Sequence, residues 1–286
     1  MNRGVKSGQL MNALVHGRLK DKDVTRMLAA GASLHASREG NIHPIAVAAA
    51  HGHVHIIKAL VRSGADIEAT CTSQFKSDGY CCETNPTWSY LNGFTTLHIA
   101  AILGKVRAML VLLQLGANPN SSDSKGVTPM MMACQGVHCC RPSTPKQVEM
   151  LNSLLKAGAD VELEDGTGLL AILYMYAASH GETQVVELLL SKAPSTLNHA
   201  TLNGLTPLAE AAEWCRESTM SLLLSAGASD LSAWAEKGMN SLNAAAKLGK
   251  GGSVRFLLKT GWKPLAGNQQ SLTQCVRRCS TGILIC

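Results

Sequence analysis

Residues 43–66 read HPIAVAAAHGHVHIIKALVRSGAD, and residues 95–118 read TTLHIAAILGKVRAMLVLLQLGAN. Written one above the other, they align without a gap. Each has a short apolar run holding an alanine pair (Ala48-Ala49, Ala100-Ala101), a turn glycine (Gly52, Gly104), a second run, and a closing Gly-Ala (Gly64-Ala65, Gly116-Ala117). Each unit borrows its core from its neighbours, so further copies of it are expected along the chain.

Those copies are present. Gly-Ala recurs at Gly31-Ala32, Gly158-Ala159 and Gly227-Ala228, and Gly31 and Gly64 are thirty-three residues apart. Counting back from each closing turn recovers LMNALVHGRLKDKDVTRMLAAGAS (10–33), TPMMMACQ with VEMLNSLLKAGAD (128–135 and 148–160), ILYMYAASHGETQVVELLLSKAPS (172–195), TPLAEAAEWCRESTMSLLLSAGAS (206–229) and NSLNAAAKLGKGGSVRFLLKTG (240–261). Thr128-Pro129 and Thr206-Pro207 mark helix starts, because threonine can accept from free helix amides and proline at the first helical position loses no hydrogen bond. Glycine after the second helix permits the left-handed conformation that stops it. Small residues at the alanine pairs let helices approach, while Leu112-Leu113, Leu154-Leu155, Leu223-Leu224 and Leu257-Leu258 fill the layer between units.

The pattern resembles the ankyrin repeat: Thr-Pro-Leu-His-x-Ala-Ala, a glycine turn, Val-x-x-Leu-Leu and Gly-Ala. The resemblance covers residues 10–261 and implies an all-α solenoid of about seven stacked helix-turn-helix units with short hairpin fingers, preceded by a segment 1–9 and followed by a tail 262–286. His98 stands at the family's histidine, whose ring is expected to bridge backbone groups of adjacent repeats. Three departures stand out. Repeat one lacks Thr-Pro and carries more charge, as suits a cap with one solvent face. Repeat five has Ile172-Leu173 for Thr-Pro and Ala193-Pro194 for Gly-Ala, which predicts weaker caps. Repeat seven has Trp262 after Gly261, which predicts an irregular last turn.

Two insertions break the period. Residues 71–92 enlarge the finger between repeats two and three, and residues 135–147 lie between the two helices of repeat four. The first contains Phe75, Tyr80, Trp88 and Tyr90, four of the chain's eleven aromatic residues. Both carry cysteines: Cys71, Cys81 and Cys82, then Cys134, Cys139 and Cys140 beside His138. A zinc site would need sulfurs that converge on one tetrahedral ion. No Cys-x-x-Cys pair occurs, adjacent cysteines rarely serve one ion, and the two insertions belong to opposite ends of the helices, so reduced thiols and no metal are expected. His43, His51, His53 and His55 are expected to be structural, since Gly-His is an ordinary turn in this repeat.

Other classes are excluded by what the chain lacks. No phosphate loop, dinucleotide fingerprint, nucleophile elbow or H-E-x-x-H occurs, and neither catalysis, a cofactor nor a small-molecule substrate is expected. No run of eighteen apolar residues is present, the start shows no signal-peptide pattern, and neither lipidation motif fits, so a cytoplasmic or nuclear location is expected and membrane association is not. The formal charge is +6, and from Lys237 onward every charged residue is basic (Lys237, Lys247, Lys250, Arg255, Lys259, Lys263, Arg277, Arg278). A solvated end of the array accounts for this better than nucleic-acid binding does.

The resemblance implies a scaffold that binds a partner protein on its concave face, formed by fingers and inner helices. Aromatic anchors carry most of such binding. The expected contact residues are Phe75, Tyr80, Trp88 and Tyr90 on the long finger. On inner helices they are Ile102, Leu103, Tyr176 and Trp214, with Trp234 on a later finger. His51, His180, Glu213 and Lys247 are secondary candidates. An alternative is the substrate-recognition subunit of a cullin-type ubiquitin ligase. Some ankyrin proteins end in a box with Ser-Leu-x-x-Leu-Cys-Arg, and SLTQCVRRC (271–279) is similar, with Cys275 and Val276 where leucine and cysteine are expected.

Overall fold

A computed structural model describes residues 3–16, 19–35, 42–71, 93–135, 144–163, 172–200, 205–229 and 240–262. Seven helix pairs lie among them, in two compact units, Met1–Asp160 and Val161–Cys286. The first unit holds α1 (Arg3–Val15), α2 (Asp21–Ala29), α3 (Pro44–His51), α4 (Val54–Arg62), α5 (Thr96–Ile102), α6 (Val106–Gln114), α7 (Pro129–Gln135) and α8 (Thr144–Lys156). The second holds α9 (Ile172–His180), α10 (Thr183–Lys192), a 3-10 helix (Pro194–Asn198), α11 (Pro207–Glu213), α12 (Glu217–Ser225), α13 (Ser241–Lys247) and α14 (Gly251–Lys259).

Within the first unit the inner helices α1, α3, α5 and α7 pack in sequence, as do the outer helices α2, α4, α6 and α8. Within the second, α9, α11 and α13 form the inner row and α10, α12 and α14 the outer one. Burial differs between the two helices of a pair. Every residue of α3 from Pro44 to Ala50 is buried, whereas α4 buries Ile56, Ile57, Ala59 and Leu60 and turns His55 to water. An all-apolar helix is stable here because a neighbour lies on each side of it, and an amphipathic one because it lies on the outside of the stack.

Both helices of a pair end in the same way. At the outer helix, Gly64 N donates to Val61 O and Ala65 N to Leu60 O, both at 3.0 Å, with Gly64 at φ +90°. This is the paired bonding of a left-handed helix stop. It recurs at Gly31, Gly116, Gly158, Gly227 and Gly261. The last of these corrects an expectation: Trp262 N donates to Leu257 O at 3.1 Å as Ala65 does to Leu60, so the turn is regular. The bond uses only backbone, and the residue after the glycine can be large.

Inner helices stop on the carbonyls of the alanine pair: Gly52 N meets Ala49 O and His53 N meets Ala48 O. Gly104, Gly181 and Gly249 repeat this, and in α11 the position is Cys215, held at φ +55°. N-termini follow the sequence more closely. Thr206 Oγ1 accepts from Ala209 N and Asn240 Oδ1 from Asn243 N.

Repeat five has a different solution from the expected weak cap. Ala193 takes φ −140° instead of the left-handed region, and the chain continues into the 3-10 helix. The freed Ala193 carbonyl accepts from the buried Tyr174 hydroxyl at 3.1 Å and from Thr196 Oγ1 at 2.9 Å. Two side chains replace the glycine.

Boundaries also shift. α1 begins at Arg3, so residues 3–9 belong to the first repeat and are not a separate segment. Thr144–Gln147, assigned to the insertion, form the first turn of α8. Gln147 is buried there and donates to Ala133 O and Cys134 O at the end of α7. The long finger is closed at its base by an antiparallel bridge, with Cys71 N to Phe94 O at 2.8 Å and Gly93 N to Cys71 O at 3.0 Å.

Gly93 and Gly64 separate two demands on glycine. Both are left-handed, but a Cβ on Gly64 meets nothing within 4 Å, while one on Gly93 comes 3.0 Å from Ser124 N in the next finger. Gly64→Ala is expected to cost about 1 kcal/mol from conformation alone, and Gly93→Ala about 2 kcal/mol or more because backbone must also move. Chemical denaturation of the two variants checks the order. Equal losses would contradict the close approach at Gly93.

Candidate functional site

The anticipated contact residues divide into three groups. Phe75, Tyr80, Trp88, Tyr90 and Trp234 lie outside the described residues. Ile102 and Leu103 are in the first unit, at the end of α5. Leu103 is only 7% exposed, so its side chain packs into the stack and offers little to a partner; this removes it from the candidates, while Ile102 is half-buried. Tyr176 and Trp214 are in the second unit, on α9 and just after α11, two helices that pack together.

Trp214 is 53% exposed and Leu248 47%, although both follow inner helices whose other apolar residues are nearly all buried. They occupy the same place in consecutive repeats, immediately before the turn residue, on neighbouring helices α11 and α13. The corresponding residues elsewhere are His51, Leu103 and His180. For this position the sequence reading named Leu103 and not Leu248, and the structure buries the first and exposes the second.

The indole of Trp214 is held by its own helix. Its Nε1–H donates to Glu210 Oε2 at 3.2 Å, one turn earlier. Burial, together with the charge of Glu213, pushes the Glu210 carboxyl up to about 7, against the opposing effect of the indole bond. Neither Glu210 nor Glu213 has an ion-pair partner among the described residues. Arg216 Nε donates to Ser179 O at 3.0 Å, which ties the turn after Trp214 to the end of α9.

Two of the early histidines bond backbone carbonyls. His51 Nδ1 donates to Val47 O and His55 Nε2 to Leu19 O, and the His51 and His53 rings stack at 5.6 Å. Burial first, and then the charges of neighbouring His51, hold His53 below the usual histidine range. Among the described residues, no group of three or more His, Cys, Asp or Glu side chains could hold a metal. Cys71 and Cys134 are buried, and burial pushes the Cys71 thiol up. Cys81, Cys82, Cys139 and Cys140 lie outside the described residues.

His98 does bridge repeats. Its Nδ1 accepts from Thr95 N at 3.2 Å, and its Nε2 donates to Val127 O of the next finger at 2.9 Å. Phe94 from the base of the long finger stacks on the ring at 5.3 Å. These bonds require the neutral tautomer with hydrogen on Nε2.

Models of known families match the chain as ankyrin repeats. A three-copy ankyrin repeat model covers 76–165, 137–233 and 174–268, and a single ankyrin repeat model covers 41–72. Human ankyrin repeat and SOCS box protein 16 is 28% identical over 229 residues, which is 76% of this chain and 43% of that relative. This chain therefore spans less than half of that relative's length. The crystal structure of the human ASB11 ankyrin repeat domain superposes with a TM-score of 0.61 at 24% identity, over 83% of this chain and 98% of that domain. The similarity to that domain is one of fold.

Burial lowers the His98 pKa to about 4 from 6.5. Between those values the unfolded chain binds a proton that the folded chain refuses, so stability is full above about pH 6.5 and falls as pH drops toward about 4. Proton NMR should show the His98 ring unchanged until close to pH 4, with melting temperature declining across the same interval. A ring that titrates near 6.5 in the folded protein would remove the bridge to Val127.

Proposed function

The chain belongs to the ankyrin repeat family, and on that premise we propose that it is a non-catalytic adaptor that binds another protein through its inner-helix ends and fingers. The observation that carries this reading is the pair Trp214 and Leu248. In a stack that buries nearly every other apolar residue of its inner helices, two large apolar side chains stand out of the core at matching positions. Large aromatic residues left accessible beside a rigid scaffold are typical binding anchors. The buried His98 and Tyr174 fit a scaffold as well, since each donates to a backbone carbonyl of the fold.

The long finger offers a second contact region. The described residues on either side of it, Cys71 and Phe94, are bridged to each other. Proximity labelling with the intact protein should identify partners that are lost when 72–92 are replaced by a short Gly-Ser linker, or when Trp88 and Tyr90 are both changed to alanine. Melting temperature is expected to be retained in both variants. Partners that persist in both variants, or a large loss of stability, would take the finger out of the binding surface.

A second reading is favoured by the relative whose name includes a SOCS box. The segment SLTQCVRRC at 271–279 resembles such a box, and in this reading the repeats present a substrate protein to a cullin-type ubiquitin ligase. Elongin and cullin components should then co-purify with the intact chain and be lost on substitution within 271–279. Their absence from the purified complex would leave the simple adaptor.

A further inference from the structure

We infer that the end of α11 is a docking point for a basic segment of the partner protein, in which a lysine or arginine lies over the Trp214 indole between Glu210 and Glu213, and an adjacent apolar residue covers Leu248. The inference rests on the adaptor reading and narrows it to one partner chemistry.

The geometry supplies each part. Trp214 is more than half exposed, and its orientation is fixed by the indole bond to Glu210 Oε2 at 3.2 Å, so one face of the ring is presented without a large ordering cost. A cation over an indole face is attracted by the ring quadrupole. Glu210 and Glu213 are three residues apart on α11, which puts both on the same side of the helix. No basic group pairs with either one among the described residues, although carboxylates this close repel each other. A carboxyl group whose charged form is disfavoured by burial and by a like neighbour gains the most from an incoming cation.

Surrounding charges orient the segment. On the α13 side, Lys247 stands at the position matching Glu213 and is exposed, which opposes a second cation there. Its neighbour Leu248 offers an apolar contact instead. On the α9 side, the matching residues are Tyr176 and His180, both half-buried, with His180 Nδ1 bonded to Tyr176 O at 2.8 Å. Arg216 already holds the α9 side through its bond to Ser179 O, so the incoming basic residue belongs over α11 itself, at Glu210 and Glu213, and the apolar residue toward α13. Nucleic acid does not fit, because the two carboxylates would face phosphate.

The test uses the full chain and short blocked peptides in which arginine alternates with leucine, with glutamate replacing arginine in the control. Binding is followed by the assigned Trp214 indole N–H resonance. The arginine peptide should shift that resonance saturably and the glutamate peptide should not. The E210Q/E213Q protein, in which glutamine can still accept the indole bond, should lose about tenfold or more in affinity. Trp214→Phe, which keeps a ring face, should lose less than Trp214→Ala. Equal binding of both peptides, or unchanged arginine-peptide affinity in E210Q/E213Q at native melting temperature, overturns the inference. If E210Q/E213Q captures the same labelled partners as the unaltered protein, the adaptor reading stands and this docking chemistry is refuted.

Discussion

Every repeat has to reverse the chain at the end of each of its helices, and each reversal leaves carbonyls that the core cannot hydrate. At most of the described helix ends a left-handed residue resolves this by turning two successive amides back onto those carbonyls. In the inner helices the accepting carbonyls belong to the alanine pair, as with Ala48 and Ala49 beneath Gly52 and His53. The same two residues therefore set both the close approach of neighbouring helices and the stop. The fold depends on that coincidence. Where glycine is missing, something visible takes its place: Cys215 accepts a left-handed backbone, and Tyr174 and Thr196 occupy the Ala193 carbonyl.

Repeats are also joined by polar side chains that satisfy one another's turns. Glu68 Oε1 accepts from Asn118 N, Asn120 Oδ1 from Asp160 N, and Asn198 Oδ1 from Ser229 N. Asn120 Nδ2 donates in return to Gly158 O. His98 performs the equivalent task at the fingers through Val127 O. A backbone group left unpaired in these tight turns would cost more than a hydrogen bond yields, so each repeat completes its neighbour's hydrogen bonding as well as its core.

A single position, the residue before the inner turn, illustrates how such a scaffold acquires a surface. Leu103 is drawn into the stack, His51 bonds its own helix, and Trp214 and Leu248 stand out toward solvent. Backbone geometry is constant across them. What differs is whether the side chain finds a covered space next door, and so the functional face can vary without disturbing the repeat.

The amino-acid pattern by itself determined the repeat, its helix pairs and its glycine stops, because those depend on local conformation and on periodicity that survive in one dimension. His98 was legible for the same reason, its role being tied to its place in the pattern. Exposure was not. Leu103 and Leu248 both precede a turn glycine and read alike, yet one is buried and the other is not, since the outcome depends on the neighbouring repeat. The turn at Trp262 read as irregular and is regular. Only tertiary structure decided these, because a side chain's burial and the partner of a freed carbonyl are supplied from the next unit in space.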